Sequence, residues 1–317
     1  MIKVEMHGRL GNQMFQYAAA RALQKKVDQK LVFSFRSVLN ENDKEGNMGW
    51  GDDLQYLNVK PYRTYTGKRP LLFFNGRKKQ IMWSLIYYLS YKPLLLKDPY
   101  DFHKIYKRQL NWARILGNHG VWWLKFGYYP FKSNYKGDYF LNGGFEDSRY
   151  FNDIRNDLIS EFTPKASLTS DQLDLVTTLE QSNSVCLSIR HFVLKDKKRN
   201  EIFNVCDTEY YKKAISIICK KVQNPIFYIC SDDLDWVIEN FDFINKYNII
   251  FENSANRPEV KLYLMTKCRH FIIPNSTFSW WAQYLGSYSD KMVIGPANWY
   301  NISNYDSPLI GKDWIKI

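Results

Sequence analysis

Short apolar runs alternate with helical spacing through the C-terminal half of the chain. The runs predict strands at 185–189, 226–230, 248–251, 270–273 and 292–294. Between them, apolar residues recur every three or four positions and predict helices at 208–222, 234–240, 258–267 and 276–285. Asp207 or Thr208 suits the cap of the first helix, Pro258 the start of the third, and Gly286 the end of the fourth. Apolar strands that alternate with helices predict a parallel sheet covered on both faces.

The N-terminus predicts a second unit of the same kind. Residues 2–6 alternate as a strand, a glycine-bearing turn follows, and residues 13–26 have helical spacing, with Asn12 as a plausible N-cap. A further strand is expected at 31–33, which completes a βαβ opening. The regular spacing of apolar residues ends at about 64–135, where Lys, Arg, Trp and Tyr are frequent. We expect short helices and loops there. We divide the chain into domains at 1–165 and 166–317.

Composition narrows the class of protein without choosing its activity. The 317 residues are 45% hydrophobic and 24% charged, as in globular proteins, and carry a net charge of +12. A basic surface attracts nucleic acid, anionic membrane or phosphorylated substrates. The five cysteines form no CxxC pair and the five histidines have no metal-ligand spacing, so we expect buried free thiols, no disulfide framework and no metal site.

The first residues and the longest apolar stretch argue against targeting and membrane-spanning segments. MIKVEMHGRL lacks the apolar core of a signal peptide. The stretch at 81–96 is interrupted by Ser84, Ser90, Lys92 and Pro93, and it is shorter than the roughly 20 apolar residues that cross a bilayer. We therefore expect a cytoplasmic protein.

Polar residues follow four of the predicted C-terminal strands. They occur at 188–190, 231–233, 252–253 and 275–277. Ligands of doubly wound sheets bind at the carboxyl ends of strands, and this set suits a nucleotide diphosphate. Ordinary loop composition is the alternative.

Three of these positions have a specific chemistry. The segment NSTFSWW at 275–281 ends a strand and opens a helix, whose N–H groups and dipole favour an anion; a capped helix with both tryptophans in the core is the alternative. Arg190 can bind a diphosphate bidentately or be a surface arginine. Asp232 and Asp233 can bind ribose or guanine, or cap the helix that follows.

Four blocks, in order along nearly the whole chain, resemble the signatures of the bacterial α-1,2-fucosyltransferases. They are HGRLGNQMFQYA at 7–18, YFLNGGFEDSRYF at 139–151, YICSDDLDW at 228–236, and LMTKCRH through NSTFSWW at 264–281. Two segments depart from that family. Its His-x-Arg-Arg-x-Asp motif reads Ser188-Ile189-Arg190-His191-Phe192-Val193, which keeps only the first arginine, and an acidic residue before the Leu-x-Leu-Met stretch is Lys261. The departures leave base recognition and donor choice open.

The resemblance implies an α/β, GT-B-like fold of two Rossmann-like domains, with the donor site in the C-terminal domain and the acceptor side in the N-terminal domain. It implies inverting transfer from GDP-fucose without a metal or another cofactor. The residues it implies for donor binding are Arg9, Asn12, Gln13, Ser188, Arg190, Asp232, Asn275, Ser276 and Thr277. Arg190 also stabilises the leaving diphosphate, and His191, Asp196 and Glu201 are candidates for the general base.

The acceptor is expected to be a galactoside-type glycan, and the 64–135 segment is where its specificity would lie. Basic and aromatic residues there also suit a lipid-linked glycan and a peripheral contact with the inner membrane face; a solvated basic surface over an aromatic core is the alternative. The residues concerned are Arg77, Lys78, Lys79, Trp83, Tyr87, Tyr88 and Lys92. No nucleic-acid partner is expected. A basic nucleic-acid-binding protein, a changed donor, and a family member without transfer activity remain as alternatives.

Overall fold

A computed structural model of the protein describes residues 1–45, 50–191, 196–302 and 305–317. The chain divides into two compact units, each with its own sheet. The first contains Met1–Gln55 and Val59–Glu161, and the second contains Tyr56–Asn58 and Phe162–Ile317. The main division along the chain falls at 161/162, four residues before the predicted 165/166. Residues 56–58 belong to the second unit, which the sequence pattern does not indicate.

A five-stranded sheet organises the N-terminal unit. Its order is β3-β2-β1-β5-β4, and all its strand pairs are parallel. The strands are β1 (Ile2–Glu5), β2 (Leu31–Ser34), β3 (Arg63–Thr64), β4 (Val121–Leu124) and β5 (Tyr139–Gly143), and the helices are α1 (Leu10–Val27), α2 (Arg36–Glu45), α3 (Lys78–Lys97), α4 (Phe102–Gly117) and α5 (Arg155–Glu161). Helix α1 begins at Leu10 with Arg9 as its N-cap, so the assignment of Asn12 as the cap was wrong.

The 64–135 segment contains two long helices, α3 and α4, where we expected short ones. The helical spacing of apolar residues is not visible in the sequence of α3. Its buried face carries polar Gln80 and Ser84 beside two tyrosines, while apolar residues face outward. Tyr87 is fully buried, which agrees for this residue with the alternative of an aromatic core. Among the helices of the described residues, none is long and apolar enough to cross a membrane.

A six-stranded sheet organises the C-terminal unit. Its order is β11-β10-β9-β6-β7-β8, again with parallel pairs throughout. The strands are β6 (Ser184–Ile189), β7 (Ile226–Ser231), β8 (Asn248–Phe251), β9 (His270–Ile272), β10 (Val293–Gly295) and β11 (Ile315–Lys316), and the helices are α6 (Ser170–Gln181), α7 (Lys197–Phe203), α8 (Thr208–Lys221), α9 (Leu234–Asn240), α10 (Pro258–Thr266) and α11 (Thr277–Leu285). The predicted parallel α/β sheet is confirmed.

The core of this unit lies between the sheet and helices α8 and α9. Leu187 of β6 is buried in it with Ile215 of α8 and Val237 of α9. Four of the five cysteines are buried and free as expected, but Cys219 is exposed on α8.

We expect Leu187→Ala to destabilise the C-terminal unit strongly, because it removes buried methyl groups from the central strand. The loss of about 2–5 kcal/mol should lower the unfolding midpoint by roughly 5–15 °C. Calorimetry or circular dichroism measures the midpoint. Leu173→Ala is the matched control, since Leu173 is 53% exposed, and it should change the midpoint by no more than about 2 °C. Equal shifts in both variants would contradict the assigned core.

Candidate active site

The order of the strands marks one crevice in the C-terminal sheet. From β6 the chain builds β7 and β8 on one side, and then returns to build β9, β10 and β11 on the other. The direction of winding therefore changes between β6 and β9, and ligands of such sheets bind at this point, beyond the carboxyl ends of the strands. Ser188 and Arg190 lie at the end of β6, and Asn275, Ser276 and Thr277 follow β9.

Two of these residues are held inside the unit. Ser188 is buried, and its Oγ is 2.8 Å from the Oγ of Ser279 in α11, so this hydrogen bond joins β6 to that helix. Asn275 is also buried, and its Nδ2 donates to the carbonyl oxygens of Phe203 and Trp299 at 2.8 and 3.1 Å. Both side chains therefore fix the walls of the crevice.

The N-terminus of α11 borders the same crevice. Ser276 occupies the N-cap position, but its side chain makes no cap hydrogen bond. The first turn of the nine-residue helix thus lacks the side-chain acceptor that usually caps it, and its positive dipole end suits an anion. Trp280 and Trp281 are buried, which confirms the core interpretation for both and is compatible with an anion at the start of the helix.

Arg190 is joined to the end of the neighbouring strand β7. Its Nη1 lies 3.1 Å from Oδ2 of Asp232, and the backbone N–H of His191 donates to Oδ1 of the same carboxylate at 3.0 Å. The Arg190 side chain is 34% exposed, which leaves part of it accessible to a ligand. Asp232 therefore orients Arg190 in this structure.

His191 lies in a small cluster around the start of α9. Its Nδ1 is 2.8 Å from Oδ2 of Asp233, and its ring stacks on Trp236 with centroids 4.1 Å apart. Asp233 is the N-cap of α9, since its Oδ1 accepts from the N–H of Trp236. The capping alternative thus applies to Asp233. The hydrogen bond from His191 lowers the pKa of the Asp233 carboxyl.

The other two candidates for the general base lie on α7. Asp196 is its N-cap, and Oδ1 accepts from the N–H of Arg199 at 2.9 Å. Glu201 is exposed on the same helix. Val193, which stands where the His-x-Arg-Arg-x-Asp motif has its aspartate, lies outside the described residues.

The three N-terminal candidates lie at the corresponding change of winding between β1 and β5. Gln13 is buried, donates to the carbonyl oxygens of Gly8 and Gly51, and accepts from the N–H of Asp53, so it fixes the turn. Asn12 Nδ2 donates to Glu146 Oε1 at 3.0 Å. Arg9 is exposed, with its guanidinium 5.8 Å from the ring of Trp50.

Glu146 is a titratable group that the sequence analysis overlooked. It is half-buried beyond β5, and burial raises its pKa to about 7, although the hydrogen bond from Asn12 and the charge of Lys125 oppose that shift. The signal was available, because Glu146 lies in the second signature block. On the same edge, His7 Nε2 and Asn142 Oδ1 are 2.9 Å apart in a hydrogen bond.

The sequence model of Glycosyl transferase family 11 matches residues 56–317. The chain belongs to this family. The glycosyltransferase is 27% identical to the O-antigen biosynthesis glycosyltransferase WbnK of Escherichia coli over 98% of this chain and 99% of that one. It is 25% identical to an alpha-1,2-colitosyltransferase of the same species over 100% and 99% of the two chains.

Among solved structures, POFUT1 in complex with GDP-fucose matches with a TM-score of 0.44 and 11% identity over 92% of this chain and 97% of that one. At that score the likeness is too distant to carry weight. The expected GT-B-like α/β class is confirmed by the two all-parallel sheets, one in each unit of the glycosyltransferase.

Glu146→Gln should change how stability depends on pH. Because the folded protein raises the pKa of this carboxyl from 4.5 to about 7, its protonated form stabilises the fold at low pH. That contribution is lost as the pH rises through about 7. Glutamine stays neutral and can still accept from Asn12, so the variant should gain thermal midpoint over the wild type between pH 5 and pH 8.

Thermal unfolding at half-unit steps of pH measures this difference. Glu239→Gln, the same change at an exposed position on α9, is the matched control and should follow the wild-type curve. A Glu146→Gln curve parallel to the wild type would contradict the raised pKa.

Proposed function

We propose that this family 11 glycosyltransferase transfers L-fucose from GDP-fucose to a galactoside-type glycan, with inversion, and forms an α-1,2 linkage in surface polysaccharide synthesis. The observation that carries the proposal is the meeting of Arg190 and the N-terminus of α11 at one change of winding. Similarity to WbnK and to the colitosyltransferase over almost the full length of each chain supports the linkage and the biological setting.

In this proposal the C-terminal crevice binds the diphosphate and stabilises it as it leaves. The bond from the anomeric carbon to the diphosphate oxygen breaks and negative charge grows on the diphosphate. The acceptor oxygen bonds to the anomeric carbon from the opposite face, and its proton passes to the general base. Preorganised donors act most strongly where such charge develops. Arg190, Ser276, Thr277 and the first turn of α11 supply those donors, and no metal is assigned a role.

The remaining predicted roles are kept as proposals. Asp232 contacts the ribose or guanine, while Arg9, Asn12 and Gln13 act on the donor phosphate or fucose. Among the candidates for the general base, His191 has a ring nitrogen beyond the one that contacts Asp233. A test of Asp196 should use Asn, which keeps the cap of α7 while removing the charge.

A second donor follows from one comparison. The colitosyltransferase resembles the chain from end to end, and colitose is fucose without its 3-hydroxyl. The GDP-linked deoxysugar is therefore the donor class, with fucose as the first candidate and colitose as the alternative. A site that hydrogen-bonds the 3-hydroxyl would discriminate strongly against colitose.

Calorimetry in EDTA with GDP, UDP, CDP and ADP tests the nucleotide. We expect selective binding of GDP that Arg190→Ala weakens by about 10- to 100-fold, because a charged hydrogen bond contributes roughly 1.5–3 kcal/mol. Arg269→Ala is the matched control, since Arg269 forms a surface ion pair with Asp290 in the same unit.

Three other results of the nucleotide and turnover measurements would each point to a different conclusion. Preference for another nucleotide would discard fucose while retaining the transferase. Binding of single-stranded RNA alone would support the nucleic-acid alternative. Binding of GDP without turnover of GDP-fucose or GDP-colitose, on any galactoside acceptor, would identify a member that has lost transfer.

We also propose that α3 lies on an anionic membrane surface, which would bring a lipid-linked acceptor to the enzyme. Met82, Leu85, Ile86, Leu89 and Leu96 form a stripe along one side of the helix, at spacings of three, four and seven, and all are exposed. The opposite side is the buried one, so the stripe is the outer face of the helix.

Basic residues at both ends of α3 favour the same occupant. Lys78 and Lys79 lie in its first turn, and Lys92 and Lys97 lie near its end, where all four are exposed. An apolar stripe bordered by lysines is typical of helices that lie in the headgroup region of anionic bilayers. The net charge of +12 adds attraction over a longer range.

Flotation with vesicles of phosphatidylglycerol and phosphatidylcholine tests the surface. Leu89 and Leu96 are 68% and 75% exposed, so replacing both by Ser should leave the fold intact and weaken binding by about tenfold for each leucine. Leu173→Ser with Ile238→Ser, which removes two exposed residues from the other unit, should bind as the wild type does. Wild-type protein that remains unbound, or equal loss in both pairs, would overturn the proposal.

A further inference from the structure

A cavity of about 380 Å³ lies in the N-terminal unit, apart from the residues assigned above to the donor. Its walls come from three sources: the strands β1, β5 and β4, the start of α2, and the segment from Pro70 to Tyr88. The volume falls within the range of small-molecule sites. The last segment lies entirely within the 64–135 stretch, for which the sequence predicted only short helices and loops.

Strand geometry explains why polar groups line this cavity. Successive side chains of a strand point to opposite faces of the sheet. Glu5, Phe140, Asn142 and Trp123 share one face, since β1 pairs Glu5 with Asn142 and β4 pairs Trp123 with Asn142. The cavity lies on that face, so a carboxylate and an amide stand beside two aromatic rings.

Ser84 gives the second, independent observation. It lines the cavity and is fully buried, and its Oγ has no hydrogen-bond partner among the described residues. A buried hydroxyl without a partner costs roughly 1–3 kcal/mol. A ligand hydroxyl that entered the cavity would supply the missing partner.

The other walls select the chemistry of that ligand. Tyr88 and Trp123 lie with their rings nearly parallel, at 22° with centroids 6.1 Å apart, and both line the cavity. Aromatic faces stack on the C–H faces of pyranoses, and carboxylates and amides bind their hydroxyls. Glu5 is held in place because its Oε1 accepts from the N–H of Leu71 at 3.0 Å. Exposed Arg36 and Asn40 border the opening.

We propose that this cavity binds a pyranose residue of the glycan acceptor, with the hydroxyl of Ser84 and the carboxylate of Glu5 on its hydroxyls and Tyr88 and Trp123 against its ring. The inference rests on the proposed function, because it gives the acceptor a specific site. It locates acceptor recognition on the β1–β5–β4 face of the N-terminal sheet. An alkyl chain does not fit this role as well, since it would leave the hydroxyl of Ser84 without a partner.

Ser84→Ala should weaken sugar binding without lowering the stability of the fold, so it distinguishes a role in binding from a role in folding. Removing a buried hydroxyl that lacks a partner should leave the thermal midpoint unchanged or raise it. The same change should weaken binding of methyl β-D-galactoside by about three- to tenfold, the effect of one hydrogen bond. Ligand-observed NMR on the full chain measures the affinity without any donor present.

Ser182→Ala is the matched control, because Ser182 Oγ also lacks a partner among the described residues but belongs to the other unit. It should bind the galactoside as the wild type does. Tyr88→Ala, at a position 39% exposed, should weaken binding by about tenfold or more and raise the acceptor KM. Neither Ser84→Ala nor Tyr88→Ala should change the affinity for GDP.

The outcomes distinguish this inference from the proposed function. Selective GDP binding together with no galactoside binding, or with galactoside affinity equal in Ser84→Ala, Tyr88→Ala and the wild type, would overturn the acceptor cavity alone. Failure to bind GDP would overturn the proposed donor whatever the sugar does. Magnetisation transfer to the ring protons of the galactoside that both cavity variants reduce would support the inference.

Discussion

The N-terminal unit depends on how the central strand β1 accommodates the charges on one of its faces. Lys3 is fully buried, with Nζ donating to the carbonyl oxygen of Phe74 and lying 3.4 Å from Oδ2 of Asp138. Burial lowers the pKa of this lysine, although Asp138 opposes the shift. Glu5, two residues on, accepts from Leu71. Since an unpaired buried charge costs several kcal/mol, these contacts hold the 71–74 segment against the sheet, and that segment supplies part of the cavity wall.

In the C-terminal unit the order of the strands has the corresponding role. Because β6 is central and the winding reverses beside it, the ends of β6 and β9 leave a crevice that neither crossover covers. The hydrogen bond between Ser188 and Ser279 fixes the distance across it. The two sheets thus provide polar edges by the same topology, although the side chains that occupy them differ.

The sequence was sufficient for the C-terminal fold because its strands are apolar and its helices have one apolar side. The predicted helix at 234–240 and strand at 248–251 agree with the structure to the residue. The sequence did not predict the length of α3. In that helix polar Gln80 and Ser84 are buried by tertiary contacts and leucines are exposed, so the positions of the apolar residues do not mark the buried face. The sequence analysis also missed α6, whose start is marked by a capping box of Thr169 and Gln172.

The places of the candidate residues at the strand ends were predictable, but their hydrogen-bond and ion-pair partners were not. Arg190 and Ser276 followed from the rule for strand ends, whereas the pairing of Asp232 with Arg190 requires knowing that β6 and β7 are adjacent. The sequence could not show which of Asp232 and Asp233 caps the helix that follows. In the structure Asp233 is the N-cap of α9. Glu146 lies in a signature block, but the property that singles it out, a pKa raised by burial, cannot be read from the sequence.

The ion pair between Arg190 and Asp232 has a consequence for turnover. Any anion that binds the guanidinium must compete with a carboxylate already attached to the same protein, at an effective concentration that dilution cannot lower. In the proposed donor role, the charge of Arg190 is already partly offset by Asp232, so a diphosphate gains less from this guanidinium than it would from an unpaired one. Under the proposed function, this lowers the affinity of the ground state and favours release of the spent nucleotide.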